Sequence, residues 1–205
     1  AVGSADLAAS GGSALFSFQQ AGTNIATRTG QDKLRDVVSL KETGGVPDGT
    51  TDNGNAFARA FVNLTTGQAL HIPVGTTLLT AATIASGVNP NGFRPPAGLM
   101  IVGEGPDSII RIKRTDFGSF YGFGIVNDNI TFRDLTIEVE VNGGSWCAIA
   151  GLIGEGRNLQ FQNCIIKGIG AIGGTYGVKP LFKDFDRIRF TDCHFENMEF
   201  GGFVK

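Results

Sequence analysis

The chain has 205 residues, enough for one large domain or two small ones with a substantial hydrophobic core. Lys and Arg number 17 against 19 Asp and Glu, so the net charge of −2 gives no electrostatic footprint for nucleic acid, and no such partner is expected. Only 18% of residues are charged and 31 are glycine, which excludes a disordered chain and favours a turn-rich β protein. No apolar run approaches the ~18 residues of a membrane-spanning helix, so membrane insertion is not expected.

Residues 1–37 are interpreted as a neck or linker. Small and polar residues dominate positions 1–12. The apolar spacing predicts a brief helix over residues 31–38, which is too short to be stable without packing partners. The chain begins at Ala1 without a methionine or a signal segment, so we expect it to be processed or cut from a longer protein.

A helix is predicted over residues 52–64, with Asp52 as its N-cap. Its apolar residues share one stripe: Phe57, Ala60, Phe61 and Leu64. Helical periodicity then disappears and short apolar segments follow. Two pairs of strands around turns are predicted, residues 69–72 with 76–79 and residues 99–102 with 109–112.

An internal repeat is the most informative feature of the sequence. Three nine-residue blocks align without gaps, at residues 129–137, 158–166 and 187–195, so each begins 29 residues after the last. Phe132, Phe161 and Phe190 fall in register. Such a period indicates a solenoid in which every repeat buries its apolar face against the next.

The first block also indicates the kind of solenoid. Ile130 and Phe132 point inward by strand periodicity, but Leu135 and Ile137 require a change of phase, so the chain must turn a corner at Asp134. The equivalent corner residues are Asn163 and Asp192, whose short polar side chains tolerate the left-handed backbone that such a bend requires. Two strands meeting at a corner in every repeat predict a parallel β-helix.

The two ends of a β-helix must be covered, because they expose apolar interior and unpaired strand edges. The helix at 52–64 is placed to cap the first end. The third block ends at Phe195 and no capping pattern follows it, so we expect a truncated sequence, with a covering partner chain as the alternative.

The three cysteines, Cys147, Cys164 and Cys193, lack the close spacing of zinc or redox sites, so no metal or cofactor is predicted. Cys164 and Cys193 occupy equivalent core positions of neighbouring coils. Strands in adjacent coils lie ~4.8 Å apart, wider than the ~3.8 Å that a disulfide prefers between Cβ atoms. We therefore expect stacked free thiols.

Several segments resemble the region where the neck meets the β-helix in bacteriophage tailspikes. They are Gly-Ser-Ala-Leu at 12–15, Gln-Ala-Gly-Thr at 20–23, residues 28–36, Val-Ser-Leu-Lys at 38–41, residues 45–53, Ala-Phe at 56–57 and at 60–61, Ile-Pro-Val-Gly-Thr at 72–76 and Val-Gly-Glu-Gly at 102–105. The resemblance covers about residues 12–110, and the repeat extends the same fold toward the end of the chain.

The resemblance implies an all-β fold, a right-handed single-stranded parallel β-helix of the pectate-lyase type, with a short neck and one capping α-helix. It implies a neck and trimerisation segment at residues 1–37 and the N-terminal part of the β-helix at 38–205. The protein would then be a homotrimer on the virion tail that contacts other tail or baseplate proteins through its N-terminal side. Such proteins bind, and commonly cleave, a bacterial capsule or O-antigen polysaccharide.

Glycoside hydrolysis requires two carboxylates, ~5–5.5 Å apart for retention of configuration or ~6.5–9.5 Å for inversion. The candidates are Asp184, Asp186, Asp192, Glu196 and Glu199. Asp192 is better explained as a corner residue, and the first two as polar loop residues. No catalytic or substrate-binding residue is therefore assigned, and the resemblance favours a glycoside hydrolase over a lyase, with its active site outside residues 1–205.

Other candidate residues are weaker. His71 and His194 are far apart and form no metal-ligand pattern. Trp146 suits stacking on a sugar or packing at a subunit contact. Three functions stay open: a depolymerising tailspike, a non-enzymatic adhesin or structural tail adaptor, and a cellular pectate-lyase-like enzyme, which the neck resemblance disfavours.

Overall fold

The computed structural model describes residues 17–18, 28–29, 36–80, 92–114, 120–125, 127–141, 147–152, 157–170, 175–179 and 187–197. In chain order the elements are β1 (Ser17–Phe18), β2 (Arg28–Thr29), β3 (Val37–Ser39), a 3₁₀ helix (Leu40–Thr43), β4 (Asp48–Asp52), α1 (Gly54–Asn63), β5 (Ala69–His71), β6 (Gly75–Thr80), β7 (Met100–Val102), β8 (Ser108–Arg114), β9 (Phe120–Ile125), β10 (Thr131–Val141), β11 (Cys147–Leu152), β12 (Leu159–Gly170), β13 (Thr175–Lys179), β14 (Ile188–Thr191) and β15 (His194–Glu196). Apart from the antiparallel pair β1 and β2, the strands of the described residues pair in parallel.

The parallel strands form a solenoid, which confirms the predicted parallel β-helix. A first sheet contains β3, β5, β7, the start of β10, the start of β12, and β14. A second sheet contains β4, β6, β8, the rest of β10 and of β12, and β15. A third contains β9, β11 and β13. We number the coils 1 to 6 by their first-sheet strand, in the order β3, β5, β7, β10, β12 and β14.

The corners predicted from the repeat are confirmed. Asp134, Asn163 and Asp192 have φ of 54°, 50° and 52°, the left-handed region that Asp and Asn tolerate best after glycine. Asn129 and Asn158, which precede the first-sheet strands of coils 4 and 5, have φ of 61° and 67°. Sequence analysis missed this second left-handed position, although the asparagine recurs at the start of two blocks.

Side-chain hydrogen bonds link the corners of neighbouring coils. The Asn163 amide donates to Asp134 Oδ1 at 2.8 Å, and the Asn158 amide donates to Asn129 Oδ1 at 2.9 Å. We call these two columns the Asx ladders. They hold successive coils in register, because each bond joins residues 29 positions apart.

Helix α1 covers one end of the core, as predicted, although it begins at Gly54 and not at residue 52. Its N-cap is Asn53, so the prediction of Asp52 is wrong. Asp52 belongs to β4, where its carboxylate still accepts a hydrogen bond from the Gly54 N–H at 3.0 Å. The N-cap lies one residue later than predicted, because Asp52 belongs to β4 and pairs with β6.

Aromatic rings continue the apolar stripe of α1 along the core. Phe57 meets Phe123 with ring centroids 5.9 Å apart, and Phe123 meets Phe132 at 5.1 Å. Phe132 then stacks on Phe161, and Phe161 on Phe190, each at 5.1 Å and nearly parallel. One column of rings therefore runs from the capping helix to coil 6, and these phenylalanines anchor the repeat.

Two further predictions concern the start of the chain and the cysteines. Val37 and Val38 lie in β3, paired with β5, so the helix predicted over residues 31–38 is wrong there, and residues 31–35 lie outside the described residues. Cys164 and Cys193 are free thiols, as expected.

Among the described residues, the one α-helix is too short to span a bilayer. The chain end after residue 197, where a missing cap was predicted, also lies outside the description.

Candidate functional site

Coils 4 to 6 present two regular outer surfaces. The outward residues of the first sheet are Thr131, Arg133, Gln160, Gln162, Arg189 and Thr191, which we call the first face. The outward residues of the second sheet, together with their partners from coil 3, form the second face: Arg111, Lys113, Glu138, Glu140, Lys167 and Glu196. Because strands of neighbouring coils lie ~4.8 Å apart, both faces offer side chains at the spacing that an extended polymer can contact.

The second face is a set of ion pairs. Arg111 Nε lies 2.6 Å from Glu138 Oε2, and Lys167 Nζ lies 3.0 Å from Glu138 Oε1. The Glu138 side chain is only 5% exposed. Lys113 Nζ similarly lies 2.8 Å from Glu140 Oε1. Glu138 and Glu140 are held by cations from neighbouring coils, so a ligand would have to break these pairs, and leaving the buried Glu138 charge unpaired is costly.

The first face carries unpaired hydrogen-bonding groups. Gln162 Nε2 donates to Gln160 Oε1 at 3.0 Å, which leaves the Gln160 amide hydrogens and the Gln162 oxygen available. Arg133 Nε lies 3.1 Å from Asp134 Oδ2. Arg189 is exposed and lies in register with Gln160. Amides, guanidinium groups and the Thr131 hydroxyl are the groups that bind sugar hydroxyls by hydrogen bonds.

A third polar group lies at the corner between coils 2 and 3. His71 Nε2 lies 3.1 Å from Glu104 Oε1, with the Glu104 side chain about half exposed. The Glu104 backbone N–H donates to Ser108 Oγ at 2.9 Å, which fixes the loop that carries the carboxylate. A histidine oriented by a carboxylate has the geometry of a general base, but no nucleophile or second acid faces it in the contacts of the described residues.

The carboxylates proposed from the sequence have separate surroundings. Asp192 is the corner residue of coil 6, which agrees with its structural interpretation. Glu196 lies on β15, in register with Lys167 on the second face. Asp184, Asp186, Glu199 and Trp146 lie outside the described residues. No catalytic pair is therefore assigned among these candidates.

The histidines and cysteines make no metal site in the described part of the chain, where no three His, Cys, Asp or Glu side chains cluster. His194 is exposed on β15. Burial raises the pKa of the Cys164 thiol to about 12, so this group is not a nucleophile at neutral pH. Its Sγ lies 3.3 Å from the Gln162 carbonyl oxygen and donates to it within the core.

Asp48 is the first residue of β4, the strand that precedes the capping helix. Its carboxylate accepts from the Thr51 N–H at 2.7 Å, the Thr51 hydroxyl at 2.7 Å and the Thr50 N–H at 2.8 Å. These donors hold the pKa of the Asp48 carboxyl well below its usual range. The Asp48 carboxylate is thus satisfied within β4 by the two threonines that follow it.

The first face and the ion pairs of the second face were not predicted from the sequence. The signal was present for the first face, because Thr131 and Arg133 already read as outward residues of the repeat. For the second face, extending the period of 29 beyond the nine-residue block brings Glu138, Lys167 and Glu196 into one column of alternating charge.

No protein-family model and no curated protein sequence matches the chain. Among solved structures, bacteriophage CBA120 tailspike protein 3 is similar with a TM-score of 0.61 and 22% identity, over 92% of this chain and 29% of that protein. A mutant tailspike protein of E. coli bacteriophage HK620, solved with a pentasaccharide, gives a TM-score of 0.66 and 15% identity, over 93% and 36%. The A-module of mannuronan C-5 epimerase AlgE6 from Azotobacter vinelandii gives 0.56 and 17%, over 77% and 44%.

These similarities establish the fold. The chain has the parallel β-helix seen in phage tailspikes, and it spans less than half the length of each of these three structures. The same fold also carries an epimerase, so the fold alone does not select a reaction.

Proposed function

We propose that this chain is part of a bacteriophage tailspike that binds, and in the full-length protein depolymerises, a bacterial capsule or O-antigen polysaccharide during host attachment. The observation that carries the proposal is the similarity to two phage tailspikes over 92% and 93% of the chain. The neck-like motifs at 12–15 and 20–23 support it independently, since they precede the β-helix. One of the two tailspikes was solved with a pentasaccharide.

The outer surface of the solenoid suits such a ligand. A polysaccharide is an extended polymer, and coils 4 to 6 repeat the same polar positions along the axis at ~4.8 Å. The first face combines the amides of Gln160 and Gln162 with the Arg133 guanidinium. Hydrogen bonds from several shallow sites add along one polymer, so that weak contacts can give useful affinity.

The assembly and location follow from the same proposal. Residues 1–37 form the neck and trimerisation segment, residues 38–205 form the N-terminal part of the β-helix, and the protein is a homotrimer on the virion tail. Its N-terminal side contacts other tail or baseplate proteins. Sedimentation analysis of the native protein checks the assembly state, and a monomer at micromolar concentration would contradict it.

A non-enzymatic adhesin or structural tail adaptor is the alternative. The ion pairs of Glu138 and Glu140 favour it, because carboxylates held by Arg111, Lys113 and Lys167 are not available as a catalytic acid and base. In that case the coils bind sugar, or only hold a distal receptor-binding part, without cleaving a bond.

The test is binding and cleavage of polysaccharides isolated from a panel of candidate host bacteria. Native protein, with its intact mass measured to define the polypeptide, is incubated with each polysaccharide, and binding is followed by biolayer interferometry. A tailspike depolymerase releases reducing ends, or an unsaturated product absorbing in the near ultraviolet if it is a lyase. Binding without any product supports the adhesin, whereas no binding to any polysaccharide on which the phage adsorbs contradicts the proposed function.

A further inference from the structure

The two faces of coils 4 to 6 differ in the availability of their charges. On the second face, Glu138 is held by Arg111 and Lys167 at 2.6 and 3.0 Å, and Glu140 by Lys113 at 2.8 Å. These cations are already neutralised by neighbours in the same sheet. An incoming glycan gains little there, since each new contact replaces an existing charge-assisted bond.

The first face has a cation without a carboxylate partner on its sheet. Arg189 is exposed on β14, and its strand neighbours across the coil boundary are neutral, with Gln160 directly in register. Thr191, two positions along the strand, is neutral and exposed as well. Arg133 is the other cation of the face, and it is paired with Asp134 at 3.1 Å.

Among the described residues, Asp134 and Asp192 are the acids at the edge of this face. Asp134 uses Oδ2 for Arg133 and Oδ1 for the Asn163 amide, so both of its oxygens are occupied. Asp192 occupies the corner of coil 6, at the end of that Asx ladder and off the flat strand surface. Within the described coils, the flat part of the face therefore offers a guanidinium with no carboxylate partner, beside an amide.

We propose that the first face binds an anionic glycan, with a negatively charged sugar substituent placed on Arg189 and the neighbouring sugar hydroxyls on Gln160 and Gln162. The proposal rests on the proposed function and names the site and the chemical class of its ligand. A guanidinium binds a carboxylate, sulfate or phosphate through paired N–H donors, and Gln160 Nε2 and Gln162 Oε1 supply a donor and an acceptor one coil away. Carboxylate, sulfate and phosphate share this chemistry, and the experiment separates them.

The experiment uses the host polysaccharide that the native protein binds most tightly. Its anionic groups are removed in separate samples by carboxyl reduction, desulfation or dephosphorylation, and affinity is measured for wild type, Arg189→Gln and Arg189→Lys. We expect one treatment to weaken wild-type binding about tenfold, and Arg189→Gln to bind the native and the treated glycan equally at that weakened level. Arg189→Lys should recover part of the affinity, because it keeps the charge without the paired donors.

A matched control and a second variant keep the test decisive. Lys41→Gln removes one positive charge from an exposed site in coil 1 and should bind like wild type. The Gln160→Ala, Gln162→Ala double variant should weaken binding of native and treated glycan by the same factor. The proposal is overturned if no treatment changes wild-type affinity, or if Arg189→Gln keeps the full difference between native and treated glycan. Absence of any bound polysaccharide overturns the proposed function itself.

Discussion

Coils 1–3 and coils 4–6 enclose one continuous core but turn their corners in different ways. In coils 1–3, which we call the leading coils, the first and second sheets are joined by residues 40–47, 72–74 and 103–107. In coils 4–6, the repeat coils, β10 and β12 pass through the corner at a single left-handed residue, Asp134 or Asn163. The core of both regions is lined by inward aliphatic and aromatic side chains.

The two regions show that one fold can be specified in two ways. The repeat coils share one local structure. A short corner, an Asx ladder and a stacked phenylalanine recur every 29 residues. The leading coils use local polar contacts that occur once, of which the buried amide of Asn53 is the clearest case. Substitutions should therefore act through stacking in one region and through unsatisfied polar groups in the other.

Phe161→Ala tests the repeat coils and should have the largest effect. Phe161 lies between Phe132 and Phe190, with ring centroids 5.1 Å from each, and is fully buried. Removing the ring leaves a cavity in the aromatic column and should lower the free energy of unfolding by about 4 kcal/mol. Phe161→Leu keeps most of the volume and should cost about 1 kcal/mol. Urea unfolding measures both, and equal costs would contradict the role given to the stack.

Asn53→Ala is the corresponding test in the leading coils. The Asn53 side chain accepts from the Val46 N–H at 2.6 Å and donates to the carbonyls of Thr51 at 2.7 Å and Val46 at 3.1 Å. Truncation removes the side-chain partner of these partly buried backbone groups, so we expect a loss of about 2 kcal/mol. Asn63→Ala, in the same helix but exposed, is the control and should change stability by no more than about 0.5 kcal/mol.

A cost at Asn53 no larger than that of Asn63→Ala would show that the leading coils do not depend on this amide. Hydrogen exchange provides a second measurement. In Asn53→Ala, protection should fall first at Val46 and at Asn53, whose N–H donates to Leu78, while Thr131 and Gln160 of the repeat coils keep theirs.

Cys164 makes the repeat coils sensitive to alkaline pH. Its thiol occupies the position of Leu135 one coil later, and burial raises its pKa from 9.0 to about 12. In the unfolded chain the thiol ionises near pH 9, but in the folded protein it stays protonated. The stabilisation contributed by the protonated thiol is therefore fully present below pH 9. Between pH 9 and pH 12 the free energy of unfolding falls, by about 1.4 kcal/mol per pH unit at most.

Cys164→Val removes this dependence, because an apolar side chain carries no proton. Urea unfolding at pH 8 and pH 10 should give a loss of about 1 kcal/mol for wild type that is absent in the variant. Cys193→Val, one coil further and less buried, is the control for general alkaline effects. An equal loss in wild type and in Cys164→Val would contradict the assignment.

The same division explains what could be predicted from the sequence. The parallel β-helix and its corners were predicted because the repeat coils use one geometry three times, so Phe132, Asp134 and their equivalents recur in register. The N-cap was misplaced by one residue, because the pairing of Asp52 in β4 depends on a strand 26 residues away in sequence, Leu78 of β6. Such contacts are absent from local periodicity.

The candidate site was less predictable for a related reason. The outward positions of a solenoid are not restricted by core packing, so their residue types show no periodic pattern. That Gln160 and Arg189 are neighbours becomes known only from the strand register. The ion pairs of Glu138 likewise join residues from three coils. Asp192 is the exception among the candidate carboxylates, because its place in the repeat already identified it as a corner residue.

Thr77→Val should stabilise the leading coils by removing a buried polar group. Thr77 is fully buried and points inward, in register with Ile110 and then Ile137 of the following coils. Its hydroxyl has no hydrogen-bond partner. Replacing the hydroxyl by a methyl group removes this desolvated polar atom at constant shape, so the free energy of unfolding should rise by about 1 kcal/mol.

The control is Thr76→Val on the outward side of the same strand, which should change stability by less than about 0.5 kcal/mol. Equal gains at the two positions would mean that strand propensity, and not the buried hydroxyl, is responsible. A loss at Thr77 would contradict the absence of a partner for its hydroxyl.

Asp192→Asn should give the smallest effect, at the last described position of an Asx ladder in the repeat coils. Asn163 donates its amide to Asp134, and the register places Asp192 one coil further along the same column. An ionised carboxylate at 192 cannot donate to the Asn163 oxygen, whereas an amide can, as Asn158 does to Asn129 at 2.9 Å. Both residue types tolerate the φ of 52°, so the substitution adds one exposed hydrogen bond without backbone strain.

We expect Asp192→Asn to raise the free energy of unfolding by about 0.5 kcal/mol and to slow hydrogen exchange at the Leu159 and Gln160 amides. Asp134→Asn is the matched change at the other end of the column. It should be neutral or destabilising, because it removes the partner of Arg133. If Asp192→Asn changes neither the free energy of unfolding nor hydrogen exchange, the side-chain bonds of the ladder do not stabilise the repeat coils. The ladder then sets the register only through its backbone corners, and the stability of the repeat coils depends on the aromatic column.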